Sequence, residues 1–263
     1  MAGDNSVWEG FESEFFGDSG GVSLNETEPI SGFSSAMAQN RQILNILFMI
    51  DVSGSMRGQR IAQVNYALEN IFKELKRKDM PDAQIKIGIM EFSDEANWVT
   101  PQPVLLEDYV FTQIEAQPWV TNYTCAFDKL DEVLRRSQFM NPSLGDYFAP
   151  LILFVTDGEP VDMDEFPKAI ERLNHNGWFR KSVKYAIAVG EEAKNEEIGR
   201  ILASFTGMRE NVRFADEGEA LCELIEFIAI RASEVQSSMV SRSGGDDGTP
   251  SIFSDLDESL FTN

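Results

Sequence analysis

The stretch Ile43–Met56, ILNILFMIDVSGSM, decides the fold. Its first part, Ile43–Ile50, is apolar with β-branched members, long enough for one buried strand and too short to cross a bilayer. It ends in Asp51, Ser53 and Ser55, three oxygen-bearing side chains at alternate positions, with Gly54 between the serines to permit a sharp turn. A helical pattern starts directly afterwards. A buried strand therefore delivers a carboxylate and two hydroxyls to the carboxyl end of a sheet, where open α/β folds bind ligands. Hard oxygen donors of this kind suit Mg²⁺ or Mn²⁺ rather than zinc or copper.

Downstream, the apolar positions Ile61, Val64, Leu68, Ile71, Phe72 and Leu75 share one face and predict a helix over 58–77, stopped by Met80-Pro81-Asp82. Residues 85–92 read as a strand. Residues 97–106 read as a third, which Pro101 and Pro103 confine to a sheet edge. Helical spacing through Ala126, Phe127, Leu130, Val133 and Leu134 predicts a helix entered by way of Thr121, a good cap or pre-helix residue. Residues 151–156 form the next apolar strand and deliver Asp157-Gly158. A helix over 164–174, a strand over 183–189, a helix over 195–203, a short strand over 212–215 and a closing helix over 217–234 complete the pattern. Strands alternating with helices in this way predict a parallel sheet covered on both faces.

With 263 residues, 43% of them apolar, the chain suffices for one large α/β domain plus tails. Its formal charge of −22 argues against nucleic acid and anionic membrane as partners. Residues 1–40 hold seven acids and no Lys or Arg, and residues 237–263 are rich in Ser, Gly and Asp. Both are expected to be disordered acidic tails around a domain at 41–236. Trp8, Phe11, Phe15 and Phe16 punctuate the first tail at near-helical spacing, as in segments that fold on a partner. No signal peptide or membrane span is expected, and Cys125 and Cys222 read as buried, reduced thiols. These point to a cytoplasmic protein. His175, the single histidine, sits near a helix end and reads as a surface or capping residue.

Asp51-x-Ser53-x-Ser55 after an apolar strand resembles the metal-ion-dependent adhesion site of von Willebrand factor A (vWA) domains, and LILFVTDGEP, ending at Pro160, resembles that family's second acidic loop. The pair VSGSM and TDGEP is most similar to the bacterial, intracellular TerY-like branch, associated with tellurium resistance and with stress-response systems containing a protein kinase and a phosphatase. The resemblance covers roughly residues 41–235. It implies a Rossmann-like α/β fold: a mostly parallel central sheet with one antiparallel edge strand and helices on both faces.

The same resemblance implies a metal site in which Ser53, Ser55 and Thr121 bind the ion directly, while Asp51 and Asp157 act through water or hydrogen bonds. Thr121 takes the threonine's place because Ala126, Phe127 and Leu130 follow it at the family's spacing; Thr124 is the second candidate. Relatives usually carry Gly-Gly before that threonine, and this chain has Trp119-Val120. Neutral hydroxyls leave most of a cation's charge uncompensated, so a partner's Asp or Glu can complete the shell. The implied function is a non-catalytic, metal-dependent interaction module whose partner is a Ser/Thr kinase or a protein phosphatase. An adaptor for an AAA-type ATPase, or a metal-dependent phosphatase, is the alternative.

Catalytic readings fit less well. A phosphatase of the haloacid dehalogenase type needs a second carboxylate two residues after the first, where this chain has Ser53. A Ser-His-Asp hydrolase would have to use His175, the single histidine, and no G-x-S-x-G follows a predicted strand. Neither a P-loop nor G-x-G-x-x-G follows the first strand.

Overall fold

The computed structural model describes residues 41–78, 80, 83–135, 138–190, 193–215 and 230. The strands are β1 (Gln42–Asp51), β2 (Ala83–Phe92), β3 (Ala96–Trp98), β4 (Val104–Leu105), β5 (Leu151–Thr156), β6 (Val183–Val189) and β7 (Val212–Ala215). The helices are α1 (Gln59–Arg77), α2 (Tyr123–Val133), α3 (Phe166–His175), α4 (Gly177–Lys181) and α5 (Glu196–Thr206). The strands join one sheet in the order β3-β2-β1-β5-β6-β7, with β4 also on β2. Every pairing among β1, β2, β5, β6 and β7 is parallel, as the alternation of elements requires.

The predicted third strand arrives in two pieces. β3 runs antiparallel to Met90–Phe92, and β4 runs antiparallel to Lys86 and Ile87. The amide of Val99 still reaches the Ile89 carbonyl at 2.8 Å, but Pro101 and Pro103 follow and have no N–H to donate. The antiparallel edge is thus present but interrupted where the chain cannot hydrogen-bond. Reading the sequence also missed α4, a single turn started by Asn176, whose side chain accepts from the amides of Trp178 and Phe179. The expected closing helix over 217–234 (Ile230 excepted), Cys222 and both tails lie outside the described residues.

β1 is the centre of the core. Its even-numbered residues Leu44, Ile46, Phe48 and Ile50 pack with Val64, Leu68, Ile71 and Phe72 of α1. Leu47 and Met49 face the other way, toward α2, α3 and α5, among Phe127, Leu130, Leu173 and Phe205. The period of two in a strand converts one apolar run into two cores. Aromatic rings organise the second: Phe92 stacks on Phe154 at 5.0 Å, and Tyr123 meets Phe154 edge-on at 5.0 Å. Each such side chain contributes on the order of 1.5–3 kcal/mol by leaving water. Asn45, buried on the same side, donates to the carbonyl of Phe139 at 3.0 Å and ties the α2–β5 connection to the sheet. Asparagine side chains cap α2 (Asn122) and α5 (Asn195), and Gly207, in the left-handed region at φ 78°, ends α5.

Lys184 is a buried cation in β6. Its Nζ donates to the carbonyls of Phe179 at 2.9 Å and Ser182 at 3.1 Å and lies 4.6 Å from the centre of the Phe179 ring. Burial pulls its pKa down to about 8. Because the folded value lies below the unfolded one, the unfolded chain binds more protons between pH 8 and 10.5, and Lys184 adds stability as pH rises through that window. Denaturant unfolding of wild type and Lys184→Met at pH 7.5 and pH 10 should show wild type gaining on the variant by about 1–3 kcal/mol. A constant difference between the two would contradict this account of Lys184.

Candidate metal centre

Asp51 ends β1 and Thr156 ends β5, the neighbouring parallel strand. The chain leaves β1 toward β2 on one side, and β5 begins the march toward β6 and β7 on the other. The two carboxyl ends thus flank the point where the strand order reverses, where open α/β sheets leave a crevice. The five residues singled out in the sequence are gathered there. Ser53 Oγ lies 3.1 Å from Ser55 Oγ, and Ser55 Oγ donates to Asp157 Oδ1 at 2.8 Å. Thr121 Oγ1 donates to Asp51 Oδ2 at 3.5 Å. Asp51, Ser53, Thr121 and Asp157 are buried, and Ser55 is exposed.

Asp51 is the anchor. Its Oδ1 accepts the backbone N–H of Ser53 at 2.8 Å, and its Oδ2 accepts the hydroxyl of Thr156 at 2.7 Å. Burial pushes its carboxyl up to about 6; hydrogen bonds from Ser53 and Thr156 oppose that rise, and the charge of Asp157 adds to it. A divalent cation beside it would favour the ionised form. As the last residue of an apolar strand, Thr156 carries no sequence signal that sets it apart from core. Its hydroxyl lies 3.1 Å from that of Tyr123, which lies 2.8 Å from the Gly158 carbonyl.

Four backbone hydrogen bonds lock the loop bearing Thr121 to its neighbours. Gln117 donates to Val52, Gly54 to Trp119, Asn122 to Ser93, and Val161 to Thr121. Asp162, also missed in the sequence, reaches across from the loop after β5 and accepts the amides of Tyr123 at 3.0 Å and Thr124 at 2.7 Å. It also accepts the Thr124 hydroxyl, whereas the Thr121 hydroxyl turns to Asp51. The first turn of α2 is therefore held by a carboxylate from a different loop, which favours the positive end of the helix dipole. No sequence periodicity reports a contact across 38 residues. Trp119-Val120, where relatives usually have glycines, does not free the loop, because the pinning bonds use backbone atoms.

Asp157 has a second partner. Arg60, in the first turn of α1, donates to Asp157 Oδ2 at 2.8 Å, and the Asp157 side chain is fully buried beneath it. The guanidinium lies across Gly190 at the end of β6, where a Cβ would come within 2.8 Å of it and where φ is +95°. Glycine serves both needs at once. The remaining titratable groups behave as bystanders. Cys125 is half-buried, with burial pushing its thiol up to about 12, and its Sγ lies 3.2 Å from the Asn122 carbonyl. His175 is exposed, with Nδ1 2.8 Å from the Glu171 carbonyl, and Glu159 is exposed beside the site.

The donor set fits a hard divalent ion. Bonds of 2.0–2.1 Å in an octahedron place adjacent oxygens about 3.0 Å apart, close to the observed gap between Ser53 Oγ and Ser55 Oγ. Among the described residues no cluster of three or more His, Cys, Asp or Glu is placed to hold a metal, so a cation here would rely on hydroxyls. When bound, the ion supplies an electrophilic position open to an outside oxygen donor.

The von Willebrand factor type A domain family matches residues 45–226. Inter-alpha-trypsin inhibitor heavy chain H6 of Homo sapiens is 29% identical over 189 residues, 67% of this chain and 14% of that protein. Heavy chain H1 of Bos taurus is 30% identical over 119 residues, 45% of this chain and 13% of that one. The matched stretches thus span 13–14% of the length of these relatives. Among solved structures, the pilus adhesin SpaC of Lactobacillus rhamnosus GG superposes with a TM-score of 0.56 at 12% identity, over 76% of this chain and 31% of that one. Proximal thread matrix protein 1 of the mussel byssus, with a zinc-occupied MIDAS motif, gives 0.53 at 14% identity, over 74% and 46%. At these identities the structural likeness speaks for the fold alone. A mostly parallel sheet with its oxygen-rich crevice beside β1, and a family match over most of the chain, make this a member of the von Willebrand factor type A domain family.

Proposed function

We propose that residues 41–236 form a non-catalytic, metal-dependent protein-interaction module. In this reading the hydroxyls of Ser53, Ser55 and Thr121 hold Mg²⁺ or Mn²⁺ directly. Asp51 and Asp157 stand behind them, orienting hydroxyls and bound water. A partner's Asp or Glu completes the coordination shell. The observation that carries the proposal is the convergence of three hydroxyls and two carboxylates in one crevice, with Ser55 open to solvent.

The rim supports a protein as the visitor. Trp119, Val120, Val161 and Met163 are 54, 53, 62 and 38% exposed and account for four of the eight large apolar side chains exposed among the described residues. All four belong to the two loops that Val161 and Asp162 tie together around Thr121. Apolar collars around a polar centre are a common form of interaction surface. A carboxylate flanked by bulky apolar residues would use both parts. The zinc in the mussel protein's MIDAS supports a divalent occupant without choosing among ions.

The finer assignment rests on the sequence motifs. The VSGSM and TDGEP pair supports a TerY-like, bacterial, stress-linked setting with a Ser/Thr kinase or a phosphatase as partner. The unpaired Cys125 thiol is in keeping with a cytoplasmic setting. Among the described residues, no helix is long and apolar enough to cross a membrane.

Thermal melts in EDTA and in millimolar Mg²⁺ test the site. Wild type should melt higher with Mg²⁺, and Ser53→Ala should lose that increment while melting within about 2 °C of wild type in EDTA. An unchanged Mg²⁺ increment in the variant would remove Ser53 from the metal site. Arg60→Ala is a second check, because it strips the counter-charge from buried Asp157. It should cost on the order of 2–3 kcal/mol in EDTA, and Mg²⁺ should restore part of the loss by supplying a cation in its place. An equal loss under both conditions would mean that no cation reaches Asp157.

A further inference from the structure

At the other end of the molecule the charge balance reverses. α2 and α3 start beside the crevice and end near the amino ends of the strands, about 16 Å away at 1.5 Å per residue over α2. There the last turns of both helices and the short α4 border an open cleft of about 740 Å³. Four basic side chains line it, Arg135, Arg172, Arg180 and Lys181, against one carboxylate, Asp131. On a chain of formal charge −22, the lining residues sum to +3, or +2 with Asp128, which pairs with Arg172, a local inversion of the field.

The pocket is organised by hydrogen bonds that leave part of its positive charge unused. Asp131 accepts from Arg135 at 2.7 Å and from Asn176 Nδ2 at 2.9 Å, so the single acid is already engaged. Asn176 also caps α4 and so fixes the turn that presents Arg180 and Lys181. Arg172 grips Asp128 through both Nε and Nη2, which shows that a guanidinium at this position accommodates a carboxylate. Arg180 and Lys181 are exposed and make no ion pair among the described residues. Half-buried Trp178 adds an apolar surface beside them.

We infer that this pocket binds an acidic peptide segment of a partner protein, rich in Asp and Glu and carrying a bulky apolar residue to lie on Trp178. Charge complementarity selects the carboxylates, and the open cavity with its indole surface selects a peptide over a small anion. The site is independent of the metal reading, since it lies at the opposite end of the sheet and uses no oxygen donor of the crevice. The domain would then be two-headed, with a metal-borne carboxylate at one end and a cation-borne acidic strand at the other.

The test is fluorescence anisotropy of a labelled twelve-residue peptide of Glu and Asp around a central Leu, titrated with the full chain in EDTA. Binding should be saturable and at least about tenfold tighter than that of the Gln/Asn counterpart. The double variant Arg180→Glu/Lys181→Glu, altered only at exposed positions, should weaken it about tenfold or more. Ser53→Ala should leave it unchanged, which separates failure here from failure of the metal site. Equal binding to the charge-reversed variant, or binding only when Mg²⁺ is present, would overturn the inference. Tighter binding of inorganic phosphate or of a phosphoserine version of the peptide would overturn the choice of occupant.

Discussion

A carboxylate at the end of a buried strand has to be satisfied by its own fold, and in this protein the solution for Asp51 organises everything near it. One oxygen takes the Ser53 amide, which bends the chain straight out of β1 and aims the two serine hydroxyls into the crevice. The other takes Thr156, which fastens the end of β5 beside the end of β1. Leaving such a group without donors would cost several kcal/mol, so the loops around it are constrained together rather than singly. Burial still pushes the carboxyl up to about 6, so a cation bound nearby would help to keep it ionised.

Around that anchor the second layer consists of long-range contacts. Asp162 caps a helix that begins in a different loop, and Arg60 crosses from α1 to hold Asp157 over a glycine that leaves room for it. Arg60 and Ser55 divide the oxygens of Asp157, one to each. The carboxylate is thus fixed in direction and partly neutralised, so a cation bound nearby would keep much of its own charge for an incoming anion. The same division of labour appears at the basic pocket, where Asp131 is consumed locally and the outer cations are left for a visitor.

The alternation of strand and helix was legible because each element carries its period in adjacent residues. β5, β6 and β7 fall where their apolar runs predict, and Asn195 starts α5 as a cap should. Asp51, Ser53, Ser55 and Asp157 were legible because a polar side chain directly after a buried run stands out, and Thr121 because its helix follows at a known spacing. Thr156, Arg60 and Asp162 were not. Each looks ordinary in its own segment, the first as core, the second as a helix-surface charge and the third as a turn acid. Their roles arise only when β1, β5, α1 and α2 meet. The split edge strand and α4 were missed for a simpler reason, being too short for periodicity to register, although the two prolines and Asn176 mark where they break and begin.

The central claim is that hydroxyl oxygens at the end of β1 hold a divalent cation. Its most direct test is anomalous diffraction from crystals grown or soaked in Mn²⁺. The account predicts one strong peak within about 2.2 Å of both Ser53 Oγ and Ser55 Oγ, with Asp51 and Asp157 behind it. A Mn²⁺-saturated crystal with no peak in that crevice, or with its peak bound elsewhere by carboxylates alone, would contradict it.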